Sequence, residues 1–89
     1  MWKAILKVET SHTNGWEDDN HLLVKDDFKL PFVPSIGMYL IMPKGPNFFI
    51  KRITYLIEDG IFILTDTHSG YDVPEMVDKY LKAGWKQER

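Results

Sequence analysis

Eighty-nine residues, 44% of them apolar, make one ordinary domain, taken as 1–89, and leave no room for a second core. Eleven lysines and arginines against thirteen acids, with a formal charge of −2, give no electrostatic pull toward nucleic acid or a membrane surface. Cysteine is absent, which excludes disulfides, thiolate metal ligands and a cysteine nucleophile and leaves packing alone to hold the chain.

The first predicted element is a strand over residues 2–9, where Trp2, Ala4, Leu6 and Val8 alternate with Lys3, Ile5, Lys7 and Glu9. That start has too short an apolar stretch for a secretory leader, and no stretch approaches the length of a membrane span, so the expected compartment is the cytoplasm. Residues 10–20 turn polar around Asn14-Gly15 and the acids Glu17, Asp18 and Asp19, and are expected to form the longest loop. A second strand is predicted over 21–30, bulged near Asp26-Asp27. In LPFVPSIG, Pro31 and Pro34 remove two ladder donors and Gly37 permits an unusual backbone angle, so the chain turns a corner before a third strand, MYLIM, at 38–42.

After the turn formers PKGPN, one long strand is expected over 48–58. Asp59-Gly60 then reads as a type I′ turn, which needs positive φ at both residues. This turn would set Ile57 opposite Phe62 and Tyr55 opposite Leu64, with Ile53, Tyr55, Ile57, Phe62 and Leu64 on one face and Ile50, Leu56, Ile61 and Ile63 on the other. A hairpin apolar on both faces predicts cover on both faces. Past the loop THSGY, a helix is predicted from Asp72 as N-cap, with Pro74 in its first turn, Val73, Met76, Val77, Tyr80 and Leu81 at helical spacing, and Gly84 as the residue that ends it. The tail is expected to bring Trp85 back onto the sheet.

Five strands in near-meander order and one terminal helix predict a mainly β (α+β) fold. Its form is either a small five-stranded antiparallel SH3-like barrel, or strongly twisted sheet, capped by the helix, or an open antiparallel sheet with the helix packed across one face. The element LPFVPSIGMYL, followed by FFIKRITY and a hairpin, resembles a pattern in small uncharacterised bacterial and phage proteins with SH3-like barrels. It covers roughly residues 28–66 and departs from the commoner form at Met38, where a polar residue often follows the glycine. The resemblance implies a fold and imports no catalytic or binding residue.

The three histidines, His12, His21 and His68, lack the tight spacing of a metal motif, even with Asp19 or Asp66 added, and read as ordinary surface residues. Glu17-Asp18-Asp19-Asn20 lacks the spacing of a calcium loop. Asp66, His68 and Ser69 are the residue types of a hydrolase triad, but there is no nucleophile elbow around Ser69, and neighbours in a chain rarely aim at one another. No metal or cofactor is therefore expected, and no enzymatic activity. Lys44, Phe48, Phe49, Lys51 and Arg52 interleave cations with aromatics, as single-strand binders do, and make nucleic-acid binding an alternative; strand alternation nevertheless turns one of the two phenylalanines inward.

Trp16, in a polar loop beside three acids, and the edge strand with Tyr39 and Ile41 are the expected protein-binding residues. Both faces of the hairpin, the helix stripe and three tryptophans supply more large apolar side chains than so small a core encloses. The expected function is a non-catalytic binding or assembly module whose partner is another protein or a second copy in a homodimer. By analogy with the resemblance, it would be a bacterial or phage accessory protein acting by stoichiometric contact. A small hydrolase-like enzyme is the remotest alternative.

Overall fold

The computed structural model describes residues 1–14, 17–70 and 73–88, and side chains outside residues 12–19. Trp16, the Asp72 N-cap and the side chains of His12, Asp18 and Asp19 lie outside the described residues. The chain runs β1 (Trp2–Asn14), β2 (Glu17–Leu30), β3 (Tyr39–Leu40), β4 (Phe48–Phe49), β5 (Arg52–Leu56), β6 (Ile61–Ser69), α1 (Val73–Lys82) and β7 (Lys86–Gln87). One sheet has the order β5-β6-β1-β2-β7, and β3-β4 form a separate two-stranded ribbon. The main sheet is open and does not close into a barrel, so the second of the two predicted forms describes it.

It departs from that form in one respect. β6 lies parallel to β1, from Lys3↔Ile61 to Ser11↔Ser69, while the other pairs are antiparallel. The β5–β6 hairpin docks on the free edge of β1 with β6 innermost, which gives the successive apolar residues Ile61, Phe62, Ile63 and Leu64 the continuous run expected of a central strand.

Residues 10–14 and 17–20 of the polar segment are strand and not loop. β1 and β2 stay paired as far as Asn14↔Glu17, beyond the last β1–β6 pair at Ser11↔Ser69. Hydrophobic alternation reports burial rather than pairing, so a ladder of polar residues leaves no such signal. The bulge lies where expected: Ala4 pairs with Phe28 and Leu6 with Lys25, leaving Asp26 and Asp27 together opposite Ile5.

The long strand predicted at 48–58 is broken. Phe48 and Phe49 pair with β3, the amide of Ile50 donates to the Met38 carbonyl at 2.9 Å, and the amide of Lys51 donates to the Thr65 carbonyl at 2.9 Å, so the chain steps from ribbon to sheet between them. The hairpin that follows has a four-residue loop, 57–60, closed by the Gly60 amide on the Leu56 carbonyl at 2.8 Å. Only Gly60 takes positive φ there, at 67°, so the turn is not type I′, and Tyr55 faces Phe62 rather than Leu64. A slip of two residues preserves parity. Ile53, Tyr55, Phe62 and Leu64 still share a face, while Ile57 moves into the turn and is exposed.

One face of the sheet is filled. Ala4, Leu6, Val8, Leu23, Leu30 and Leu64 meet Val73, Val77 and Tyr80 of α1, Trp85, and Leu40, Met42, Phe48 and Ile50 of the ribbon in a single cluster. Ile50 belongs to this core and not to the opposite face. Trp2, expected inward, sits at the rim, 42% exposed, with its ring edge-on to Phe62. Gly84, at φ 96°, ends α1 in a Schellman turn: the Trp85 amide donates to the Tyr80 carbonyl at 3.1 Å and the Gly84 amide to the Leu81 carbonyl at 3.1 Å. The turn throws Trp85 back against Tyr80, with ring centroids 5.0 Å apart, and against Phe48, 6.1 Å away. Leu81, at the edge of the helical stripe, stays exposed. The reverse face of the sheet, with Val24 and Thr65 buried and Ile5, Leu22, Leu56, Ile61 and Ile63 half-buried, has no described element across it, contrary to the expectation of cover on both sides.

Candidate functional site

Two features stand out by reversing the usual placement of residue types: a buried carboxylate and a ridge of exposed apolar side chains. They flank the same ribbon.

The carboxylate is Asp66, 1% exposed, on the core side of β6 in register with Val8. Its Oδ2 accepts the Phe49 amide at 3.0 Å and its Oδ1 accepts the Thr67 amide at 2.7 Å. The Lys51 ammonium lies 3.6 Å from Oδ1 and His68 Nε2 3.4 Å from Oδ2. His68 Nε2 also stands 3.1 Å from the Tyr80 hydroxyl, which ties the sheet to the helix. Burial alone would raise the Asp66 carboxyl, but hydrogen bonds from His68 and the Phe49 amide, the charge of His68 and the Thr67 amide outweigh it and hold the group below its ordinary value. Burial pushes the Tyr80 phenol up, and the Asp66 and Tyr39 charges push it further. All these partners are protein groups, so the cluster acts as a clasp. Ser69, next to His68 in a strand, points to the other side, so of the three triad residue types weighed above only Asp66 and His68 come together.

His21 lies in one row with Thr10 and His68 across β2, β1 and β6, and its Nδ1 is 2.8 Å from Gln87 Nε2. The three residues border an open groove of about 530 Å³. Among the described residues no three histidine, aspartate or glutamate side chains are placed to hold a metal.

The ridge is built by the proline corner and β3. Two prolines and Gly37, at φ 92°, prevent a continuous strand, and the apolar residues between them cannot all turn inward. Pro34, Leu40 and Met42 are buried, while Phe32 is 38%, Val33 55%, Ile36 68%, Tyr39 57%, Ile41 73% and, across the ribbon, Phe49 37% exposed. Tyr39 and Phe49 rings lie 6.2 Å apart. Between the end of β2 and β3 runs a groove of about 400 Å³ lined by Phe28, Leu30, Phe32, Met38, Tyr39 and Ile41 among others. Tyr39 and Ile41 are thus brought together on the surface. Phe32, Val33 and Ile36 were not singled out from sequence, where they read only as part of the corner; apolar residues trapped between two prolines, and between the second proline and Gly37, were the available signal.

The five residues of the nucleic-acid alternative are not gathered into one platform. Phe48 is fully buried, stacked on Trp85. Lys51 Nζ donates to the Thr67 carbonyl at 2.8 Å and hydroxyl at 2.9 Å, and Arg52 pairs with Glu9 at 3.2 Å. Phe49 and Lys44 are exposed. Among the described residues no helix is long and apolar enough to cross a membrane. Compared with protein-family models, curated proteins and solved structures, the chain matches none.

Proposed function

We propose that this chain is a non-catalytic protein-binding module that acts by stoichiometric contact through the ridge around β3. One observation carries the reading: Phe32, Val33, Ile36, Tyr39, Ile41 and Phe49 are all substantially exposed while the core cluster is complete without them. Scattered apolar residues on a surface mean little, but large ones concentrated on one short segment and its ribbon partner, beside an apolar groove, are the composition of a contact surface. The aromatic Tyr39 and the branched Ile41 are its anchors.

The test is the double variant Ile36→Asp/Ile41→Asp. Both side chains stand outside the core, so the variant should melt within about 0.5 kcal/mol of the parent. The parent should form a defined complex, with itself or with a protein recovered at fixed stoichiometry from the native host, and the variant should lose it. A parent that stays monomeric and recovers no such partner, or a complex the variant keeps unchanged, overturns the reading.

A further inference from the structure

We infer that the occupant of this surface is a second copy of the chain, joined by antiparallel pairing of β3 with β3 about a two-fold axis at Leu40; this rests on the binding reading above and specifies its partner. The Ile50 amide donates to the Met38 carbonyl, and Tyr39 pairs with Phe49 and Leu40 with Phe48. In an antiparallel ladder this makes Tyr39↔Phe49 a non-hydrogen-bonded pair, so Leu40 turns its amide and carbonyl to β4 while Tyr39 and, by alternation, Ile41 turn theirs outward. The outer edge of β4 is closed, because the Phe49 amide that points there is taken by Asp66. β3 pairs only with β4, and no described group takes its outward amides and carbonyls.

Edges of this kind are ordinarily protected by charge, proline or short length. The edge of β5 begins with Arg52 and that of β7 with Lys86; β3 is as short as β7 but carries no such charge. Met38–Met42 carries no charge and no proline, so two copies meet there without like charges opposed. The segment is also self-complementary. Turning β3 about Leu40 places Tyr39 opposite Ile41 of the other copy, twice, and the groups that meet are the outward amides and carbonyls of those residues, giving four hydrogen bonds. Each pair is an aromatic against a β-branched side chain, a favourable cross-strand combination. The six ridge side chains leave on the order of 700 Å² open per copy, against about 800 Å² per partner in a stable complex.

Because the chain contains no cysteine, register can be read by cross-linking. Tyr39→Cys and Ile41→Cys are made separately, and each is exposed to mild oxidant alone and as a mixture. The mixture should yield a covalent dimer and each variant alone should not, since only the 39–41 pairing brings sulfurs within bonding distance. The unmodified chain should sediment as a dimer, and Ile41→Asp should sediment as a monomer that melts like the parent. A monomeric parent, or cross-linking as efficient in either variant alone as in the mixture, overturns the pairing. If that monomer still forms a complex with another protein that Ile41→Asp abolishes, the pairing falls while the binding function stands; if it forms none, both fall.

Discussion

The two edges of the β3–β4 ribbon are made of similar residues and end differently. On the β4 side a buried carboxylate takes the place of a neighbouring strand, accepting the Phe49 amide and drawing in Lys51, His68 and, through His68, Tyr80. On the β3 side the outward backbone groups meet no described group, and apolar side chains surround them. A single aspartate can finish an edge as a strand does; where a chain spends no such residue, the edge is a place for another chain.

Opening the closed edge should have the largest effect. Asp66→Asn keeps shape but turns an amide group toward the Phe49 and Thr67 donors, and should cost about 3 kcal/mol in urea unfolding at neutral pH. The effect is pH-dependent with a definite sign. The carboxyl is held below its ordinary 3.8, so its contribution is fully present above that value and is lost as pH falls through the lowered folded value. Stability of the parent and of Asp66→Asn measured from neutral to strongly acidic pH should therefore converge; a constant difference would remove the ionised clasp from the account.

Gly45→Ala should cost about 2 kcal/mol, because φ is 76° there and a methyl would come within 2.5 Å of Ala83 Cβ, lifting the ribbon's connecting loop from the end of α1. Tyr80→Phe removes only the hydroxyl beside His68 and should cost about 1 kcal/mol in the same assay. The open edge supplies the smallest effect: Ile41→Asp, on a side chain 73% exposed, should leave the melting transition within about 0.5 kcal/mol while abolishing association.

What could be foreseen divides along the range of the forces involved. Asp26-Asp27 announced its bulge because the apolar alternation changes phase across it, and Pro74 and Gly84 marked α1 because caps are local chemistry. The edge strand expected at 38–42 was legible because MYLIM is apolar, uncharged and bounded by turn formers, though only Tyr39–Leu40 is strand and Ile41 lies just past it. The parallel partner of β1 was not, since nothing in residues 2–9 records which edge residues 61–69 will choose. Asp66 and His68 could be named as chemistry-bearing residues, but the amide that claims Asp66 belongs to Phe49, 17 positions away, and no spacing rule joins them. The turn at Gly60 misled because Asp-Gly permits two positive φ values without requiring them.

The position of β1 between β2 and β6 has a consequence for the order of events during synthesis. The β1–β2 hairpin can form as soon as its residues emerge, but the other side of β1 stays unpaired until residues 61–69 have been made, with the ribbon and β5 already trailing behind it. Docking that late segment must bring together residues 58 positions apart, from Lys3 with Ile61 to Ser11 with Ser69, a non-local step that slows folding and leaves a nascent apolar strand waiting for its neighbour. Premature release or truncation before Ile61 would present the Leu6–Val8 strand to whatever else the ribosome exit offers.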